Sequence, residues 1–423
     1  LRAGEFVHET ALYPEVEYAF KHPLTQEVAY RSQLGARRAQ VHAAVARAIE
    51  QLHADKLDER AALLAYHWEQ AGEALVAAQW YARSARVAGF DSPVEAVRHW
   101  EKVWEILAAA PPSDAGVTLR REAATQLLLF GWRLGMSGER VSEIFAAGNQ
   151  LARAAGDVRE QVCLHYSFAL FHALDGDPRR GFPIFEAGVA MADATGEPEL
   201  RWSARTGFDF ALWMAGDLAA AERLNDEQIA LASIRPALGR ATVGLSTADS
   251  LWHRAVILTD LGRFAEAAAA LRSAHERARS FAENDLASWV DFWWAHLFSR
   301  VGEVPDALSM ARRGIESTEK IGTALGRVNA YGQHGLACVL AGDWQSARES
   351  FDRALDLGRA NPAARFLDAD FVAGLAEAQL GLGDETRARA CAEQAIEIAT
   401  RARRLVGEVH AQLALARVLR GAA

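Results

Sequence analysis

A glycine followed five residues later by an alanine recurs at nearly constant intervals, and no other feature of the sequence constrains the fold as strongly. The copies are Gly216/Ala221, Gly262/Ala267, Gly302/Ala307, Gly342/Ala347 and Gly383/Ala388. Successive glycines are 46, 40, 40 and 41 residues apart, and Gly176 extends the series upstream by 40, with Gly181 in the small-residue position. A period of this length predicts an array of repeated structural units.

Each glycine lies between two segments with apolar residues at helical spacing. Examples are Leu251, Ala255, Leu258 and Leu261 before Gly262, and Ala347, Phe351, Ala354 and Leu355 after Gly342. The glycine can adopt the left-handed conformation that ends the first helix, and the small residue lets the second helix pack closely. The predicted unit is therefore an antiparallel helix pair. One such pair cannot bury its apolar face alone, so neighbouring pairs must stack.

The residues 331 to 355 read YGQHGLACVLAGDWQSARESFDRAL, and this segment resembles the tetratricopeptide repeat. The matching positions are Gly335, Gly342, Trp344, Ala347, Phe351 and Ala354. The resemblance implies an all-α fold, a right-handed superhelix of antiparallel helix pairs, which we assign to residues 111–423. Other copies depart from the family pattern, with Arg254 at an apolar position and Asp209 at a small one. The period near 40, against 34 in the family, predicts longer helices or loops.

The first 33 residues follow a different pattern. Alternation predicts short strands at residues 5–9 and 17–22, joined through Tyr13-Pro14, and Pro23 then opens a helix through Tyr30. The string EFVHETALYPEVEYAFKHPLTQEVAY resembles the end of the winged-helix module in bacterial multidomain signalling proteins. In that family a class III nucleotide cyclase or another effector precedes a STAND-type ATPase, and tetratricopeptide-like helices follow. The resemblance implies a small winged-helix remnant at residues 1–33 of a longer protein.

Lys21 and His22 end the second predicted strand. The family resemblance implies that they contact the phosphates of a nucleotide in the full-length protein. The alternative is a solvated strand end. Residues 34–110 read as a helical linker with the first helical hairpins, and the sequence Pro111-Pro112-Ser113-Asp114 predicts a boundary before the repeats.

Charge and cysteine usage limit the partners and the compartment. The net charge of -9, from 46 Lys and Arg against 55 Asp and Glu, opposes binding to nucleic acid or to an anionic membrane. Cys163, Cys338 and Cys391 are odd in number and far apart, which fits a reducing compartment. No apolar run is long enough to cross a bilayer. We therefore expect a cytoplasmic location.

No catalytic, metal-binding or cofactor-binding motif is evident. Residues 239–246 imitate a phosphate-binding loop, but Leu245 replaces the required lysine, and an inter-repeat loop is the simpler interpretation. H-E-x-x-H and Gly-x-Ser-x-Gly sequences do not occur. We expect that this chain is not an enzyme and has neither a metal nor a cofactor.

Aromatic residues in the first helices of the repeats are the best candidates for recognition. Alignment of the repeats on their glycines places one set on the inner face of a tetratricopeptide array: Tyr166, Phe210, Trp213, Trp252, Trp289, Phe292, His296 and Arg300. Asp249, Asn329 and Asp370 add polar groups. Trp293 and Trp294 point about 100° apart on a helix, so at least one of them faces outward or into the groove. The open alternative is that these aromatic side chains fill the space between repeats.

Together these features predict a regulatory interaction domain of a cytoplasmic signalling ATPase linked to a nucleotide cyclase or another effector. Its groove would bind a protein segment, a peptide or a small effector, and its other partners would be the attached ATPase and effector domains. Two alternatives remain at this stage. The first is an oligomerisation arm or scaffold without a groove ligand, and the second is a helical enzyme.

Overall fold

The computed structural model describes residues 6–11, 17–233, 235–359 and 362–421. The elements before the boundary region are β1 Val7–Ala11, β2 Glu17–Phe20, α1 Pro23–Arg31, α2 Gly35–Leu52, α3 Leu57–Gln70, α4 Ala74–Ala88, α5 Pro93–Ala109 and α6 Asp114–Leu134. Next come α7 Gly138–Ala154, α8 Val158–Leu174, α9 Phe182–Thr195, α10 Pro198–Arg205, α11 Phe208–Met214, α12 Leu218–Ala232, α13 Ala248–Asp260 and α14 Phe264–Ser280. The remaining α-helices are α15 Asn284–Val301, α16 Val304–Ile321, α17 Ala324–Ala341, α18 Trp344–Arg359, α19 Asp368–Gly381, α20 Glu385–Arg401 and α21 Leu405–Gly421. Short 3₁₀ helices cover Pro178–Gly181 and Pro362–Leu367.

Two strands and a helix are present near the N-terminus, but the strands cover Val7–Ala11 and Glu17–Phe20 rather than the predicted 5–9 and 17–22, so Lys21 and His22 follow the second strand. β1 and β2 pair antiparallel, with Val7 opposite Phe20 and an irregularity between Glu9 and Ala11. The helix after Pro23 runs to Arg31, one residue beyond the predicted end. Glu5 of the first predicted strand and the Tyr13-Pro14 connection lie outside the described residues. The winged-helix assignment stays a prediction.

The chain forms two compact units. The first contains the described residues up to Val87 together with His99–Leu119, and the second contains Ala88–Arg98 and the described part of Arg120–Ala423. The predicted divisions at residues 33 and 110 stay predictions, although the Pro111-Pro112-Ser113 sequence does separate α5 from α6.

The first unit has its own small core between α2, α3 and α4. Its centre is Ala46, Leu64, Trp68 and Ala77. The Trp68 indole N–H donates to Glu50 Oε1 at 3.0 Å, so this large side chain is buried without an unsatisfied donor.

The second unit confirms the predicted all-α, tetratricopeptide-like superhelix of antiparallel helix pairs. α13 packs on α14, α15 on α16, α17 on α18 and α19 on α20, and α13, α15, α17 and α19 contact one another in order. The repeat glycines act as predicted: Gly302 and Gly342 have φ values of 84° and 72° and cap α15 and α17. The alanines five residues after the glycines are fully buried from Ala221 through Ala388.

Gly181 shows why one repeat has glycine in the small-residue position. A Cβ atom at this residue would lie 2.5 Å from the Ala169 carbonyl oxygen. The backbones therefore approach more closely here than alanine allows.

Phe351 forms the centre of the last repeats. Its ring is fully buried between Gly335 and Gly374, where added Cβ atoms would lie 2.7 Å and 2.4 Å from ring carbons. The tetratricopeptide positions predicted for Gly335 and Phe351 thus form one packing contact between α17, α18 and α19.

The superhelix of the second unit returns on itself. Arg179 Nη1 donates to the Arg403 carbonyl oxygen at 2.6 Å, and its Nη2 donates to the Ala215 carbonyl oxygen at 3.0 Å. Leu405, the first residue of α21, packs on Gly216. These contacts join the beginning of α21 to the turn between α11 and α12. None of the helices in the described ranges is both long and apolar enough to span a lipid bilayer.

Candidate functional site

The first helices of the later repeats surround a cavity of about 410 Å³ on the inner side of the second unit. Side chains of α11, α13, α15, α17, α19 and α21 line it, together with Trp344 at the start of α18. Its apolar side chains include Trp293, Leu336, Val339, Trp344, Phe371 and Leu413. This volume lies in the range of pockets that hold small ligands or a few residues of a peptide.

Asp370 organises the polar side of the cavity next to α21. Arg404 Nη1 donates to Asp370 Oδ2, and His410 Nδ1 lies 2.6 Å from Asp370 Oδ1. Burial alone would raise the pKa of Asp370, but the charge of Arg404 and the hydrogen bonds from Arg404 and His410 outweigh it and hold the pKa well below its ordinary value. Asp370 is therefore an ionised acceptor with both oxygens occupied.

His410 links Asp370 to Arg300 through its two ring nitrogens. Since its Nδ1–H donates to the carboxylate, its Nε2 can accept, and Arg300 Nη2 lies 3.0 Å from that atom. This contact crosses the cavity from α15 to α21 and joins residues 110 positions apart. The Arg300 guanidinium is thereby held in place without being bound to a carboxylate oxygen at hydrogen-bond distance; Asp260 Oδ1 is 3.9 Å away.

His296 and Asp260 form the opposite part of the polar lining. Trp213 Nε1 donates to Asp260 Oδ2 at 2.8 Å. His296 Nδ1 lies 3.2 Å from Gln333 Oε1, whereas its Nε2 lies 4.0 Å from Asp260 Oδ1, beyond hydrogen-bond distance. Burial lowers the pKa of His296 against the opposing effects of Asp260 and Gln333, which favours the neutral ring. In the tautomer that donates from Nδ1 to Gln333 Oε1, the buried Nε2 is an acceptor without a hydrogen-bond partner.

A second chamber of about 280 Å³ lies beside the first and is lined by Leu218, Phe264 and Val406 among others. Asp260, Arg300, Val406 and His410 line both chambers. The Arg300–His410 contact therefore lies at the boundary between the two.

The predicted groove residues fall into two groups. Trp213, His296 and Arg300 line the large cavity. Tyr166, Phe210, Trp252 and Trp289 are buried around a void of only about 20 Å³, and Phe292 is buried with its Cβ against Gly314. Their role as a partner-binding surface stays a prediction.

Four of the predicted residues, Phe210, Trp213, Trp252 and Trp289, nevertheless form a continuous strip of aromatic rings. The ring centroids of Phe210 and Trp252 are 5.2 Å apart, those of Trp252 and Trp289 are 5.3 Å apart, and Trp213 stacks on Phe210 at 5.0 Å. Trp293 extends it, with its centroid 5.7 Å from that of Trp213, and forms part of the large cavity's wall. Its neighbour Trp294 is half-buried and stacks on Phe298. The strip is an interior layer that reaches the cavity at one end.

Asp209, which breaks the family pattern, belongs to a buried polar cluster behind this layer. It accepts from Asn225 Nδ2 at 2.9 Å and lies 2.9 Å from His253 Nδ1. Burial would lower the pKa of His253, but Asp209 and Asp249 outweigh it and raise the pKa. Asp209 therefore stands where a small side chain is expected, and it is paired there with the buried His253.

Sequence alignment missed the part of the site in the last repeats. The offsets that select His296 and Arg300 before Gly302 select Leu336 and Leu340 before Gly342, and both line the cavity. The search for aromatic residues overlooked these aliphatic positions. Arg404 and His410 precede no repeat glycine, so the alignment had no means of finding them.

The loop that imitates a phosphate-binding sequence lies between α12 and α13. The Gly239 N–H donates to Glu199 Oε1 at 2.9 Å, and the Ser246 N–H donates to Glu283 Oε1 at 2.8 Å. Carboxylates thus occupy backbone donors that a phosphate would require. Within the described parts of the chain, no three His, Cys, Asp or Glu side chains are arranged to hold a metal ion.

Lys21 and His22 are exposed at the start of α1 in the first unit. The Lys21 N–H donates to the Phe6 carbonyl oxygen at 3.0 Å, and His22 is the residue that precedes the helix. Their predicted contact with a nucleotide stays a prediction.

No protein family model and no curated protein sequence matches this chain. Similar solved structures do exist. A Rap protein complexed with Competence and Sporulation Factor aligns with a TM-score of 0.51 and 12% identity, over 82% of this chain and 98% of that chain. A STAND protein with a tetratricopeptide repeat sensor from Pyrococcus horikoshii aligns at a TM-score of 0.46 and 11% identity, over 95% of this chain and 59% of that chain. At this identity, the likeness to the Rap protein is one of fold: an all-α array of helix pairs.

Proposed function

We propose that the second unit is a regulatory interaction domain whose inner cavity binds a peptide or an extended segment of another protein. The observation that carries this proposal is the cavity itself, whose lining combines apolar side chains with fixed polar groups. Apolar surface supplies affinity, and a few positioned polar groups supply orientation. The Rap protein of similar fold was solved in complex with a factor, which supports a ligand-binding role for such an array.

Regulation follows from where the cavity lies. Side chains from α11, α13, α15, α17, α19 and α21 line it, so a ligand contacts helices far apart in sequence. A ligand that prefers one spacing of these helices shifts the array toward that spacing, by as much as its affinities for the two states differ. An ATPase or effector domain attached to the array would respond to this shift.

The finer assignment is to a cytoplasmic STAND-type ATPase with a winged-helix module and a linked nucleotide cyclase. It is supported by the resemblance of residues 1–33 and by the strand pair and helix found there. The sequence of the intact gene tests it: an upstream region without a phosphate-binding loop would refute the ATPase assignment.

The proposal contains no catalytic step and no cofactor. Asp370 is ionised, and both of its oxygens are occupied by hydrogen bonds. A carboxylate with a strongly lowered pKa is a weak proton acceptor, whereas a fixed ionised carboxylate suits the positioning of cationic side chains.

Selection from a random peptide library, displayed and passed over the immobilised full chain, tests the binding function. Leu413→Arg places a charge in the cavity at a side chain that is 52% exposed, and Leu419→Arg changes a residue that is 48% exposed on the same helix but does not line the cavity. We expect enriched peptides whose affinity falls about tenfold or more in Leu413→Arg and is unchanged in Leu419→Arg. A library that yields no enriched peptide, or peptides that bind both variants equally, would refute the cavity as the site. A concentration-dependent dimer in light scattering, without peptide binding, would favour the scaffold alternative.

A further inference from the structure

Some polar side chains that line the large cavity already have hydrogen-bond partners in the protein, and others do not. Asp370 receives hydrogen bonds from Arg404 and His410, and Glu377 receives one from Arg417. Asp260 receives one from Trp213. Asp370 and Glu377 are therefore already bonded to side chains of the array, whereas Asp260 Oδ1 has Arg300 at 3.9 Å and His296 at 4.0 Å, both beyond hydrogen-bond distance.

Arg300 is in a different situation. Among the described residues its single hydrogen bond is the 3.0 Å contact with His410 Nε2, and its closest carboxylate oxygen is 3.9 Å away. Its side chain is 35% exposed, at the boundary between the two chambers. A guanidinium has five N–H donors in a planar fork, so most of the donors of Arg300 have no acceptor from the protein.

The position of this fork is fixed before any ligand arrives. Asp370 sets the proton of His410 on Nδ1, and His410 Nε2 then accepts from Arg300. A guanidinium with one N–H anchored and the others unoccupied is suited to a planar, bidentate anion.

A second, independent observation concerns His296. Its ring is 8% exposed and lines the same cavity, and its Nε2 is a buried acceptor without a partner. A buried acceptor costs free energy unless a donor reaches it. An N–H or O–H group of a ligand near α15 would satisfy this acceptor.

We propose that the ligand carries a carboxylate, which binds Arg300 at the boundary between the chambers. An adjacent amide N–H donates to His296 Nε2, and an apolar side chain packs on the wall formed by Trp344 and Phe371. This inference rests on the proposed function and adds the chemistry of the ligand. Either the C-terminus of a segment or an Asp or Glu side chain can supply the carboxylate.

The net negative charge of the chain also bears on how an acidic ligand is bound. A net charge of -9 repels acidic ligands in general, so their retention depends on local cations. Arg404 and Arg417 each donate a hydrogen bond to a carboxylate of the array, whereas Arg300 has its carboxylate, Asp260, only at 3.9 Å. Among these three arginines, Arg300 is therefore the one placed to select for the acid.

Small probes test the carboxylate without knowledge of the natural ligand. N-acetyl-phenylalanine carries a carboxylate, an adjacent amide N–H and an apolar ring, and N-acetyl-phenylalaninamide lacks only the charge. N-acetyl-glutamyl-phenylalaninamide offers the acid on a side chain instead. Binding to the full chain is measured by saturation-transfer NMR, with tryptophan fluorescence as a second signal from Trp213, Trp293 and Trp344.

We expect N-acetyl-phenylalanine to bind about tenfold or more tightly than its amide, because hydrogen bonds to charged groups are the strong ones. Arg300→Gln should abolish this difference, and Arg300→Lys should keep part of it. Arg389→Gln removes an exposed arginine of α20 that pairs with Glu393, and it should change nothing. Tighter binding of the glutamyl probe would assign the carboxylate to a side chain, and tighter binding of N-acetyl-phenylalanine would assign it to a C-terminus.

Equal binding of acid and amide, or an acid preference that survives Arg300→Gln, would overturn the carboxylate anchor. Failure of all three probes to bind at millimolar concentration would overturn it as well. The peptide selection with Leu413→Arg and Leu419→Arg is independent of these outcomes, so the binding function can stand when the carboxylate anchor fails.

Discussion

Replacement of Gly335 by alanine tests whether the contact between Phe351 and the glycines around it holds the last repeats together. The added Cβ would lie 2.7 Å from Phe351 Cε1, whereas carbon atoms normally approach to about 3.5–4.0 Å. The ring is fully buried and has Gly374 on its other side, so it has no free space into which it can move. The helices must therefore separate by about 1 Å.

Two opposing contributions determine the size of the effect. Overpacking of a buried contact costs about 1–3 kcal/mol, and the exchange of glycine for alanine inside a helix gains about 0.8–1 kcal/mol. We expect Gly335→Ala to lower the free energy of unfolding by about 0–2 kcal/mol. In a Phe351→Ala background, which itself costs about 3–5 kcal/mol, the clash is absent and Gly335→Ala should stabilise by about 1 kcal/mol. The coupling between the two changes is then about 1–3 kcal/mol.

Guanidinium unfolding followed by circular dichroism measures the four members of this cycle, and hydrogen exchange in α17 and α18 localises the effect. Gly358→Ala in α18 is the matched control, because its added Cβ would meet only Asp368 Oδ1 at 3.6 Å and should not destabilise. If Gly335→Ala changed stability equally with and without the Phe351 ring, the packing argument would be wrong.

Three further predictions concern other parts of the second unit. Burial raises the pKa of Glu160 to about 7 against the opposing charge of Arg121. The contribution of Glu160 to stability is therefore complete below pH 4.5 and is lost as the pH rises through about 7. The thermal midpoint of Glu160→Gln should fall less between pH 5 and pH 8 than that of the wild type. Asp209→Ala leaves His253 buried with one carboxylate partner fewer and should cost about 3–5 kcal/mol in denaturant unfolding, and a loss below about 1 kcal/mol would contradict a structural role for the cluster. Arg179→Ala should accelerate amide exchange in α21 about tenfold and leave α13 unchanged, whereas equal exchange in both proteins would show that this contact does not hold α21.

The helix pairs could be predicted from the sequence because their determinants are local. Gly302 and Gly342, each with a small residue five positions later, end the first helix of a pair and allow the second helix to pack closely. The structure confirms that both glycines cap their helices. Gly181 stands where the other repeats have alanine, and this too has a local cause, because the Ala169 carbonyl oxygen lies too close for a Cβ atom. Only the structure shows this contact.

The division of the aromatic residues between core and cavity could not be predicted in the same way. Trp252 and Trp293 stand at inward positions of neighbouring repeats, but Trp252 lies against a void of about 20 Å³ and Trp293 against the cavity of about 410 Å³. The difference arises from how far apart the helices stand, and residue spacing carries no information on that distance.

The polar side of the cavity depends on contacts between residues that are remote in sequence. Arg300 meets His410 across 110 positions, and neither residue belongs to a motif that relates it to the other. A periodic pattern describes each repeat and its neighbours, whereas this contact forms because the array curves until its later part faces its earlier part.

The hydrogen bond from Arg179 to the Arg403 carbonyl joins positions 224 apart, and this has a consequence for synthesis. Helix pairs can assemble one after another as the polypeptide leaves the ribosome, but a loop of this length closes only when its second end has emerged. Until α21 has emerged, the nascent array is an open arc, and the cavity that Trp213 and Trp293 line lacks the side chains of α21. Chaperone binding to that arc should end when α21 emerges and closes this side of the cavity.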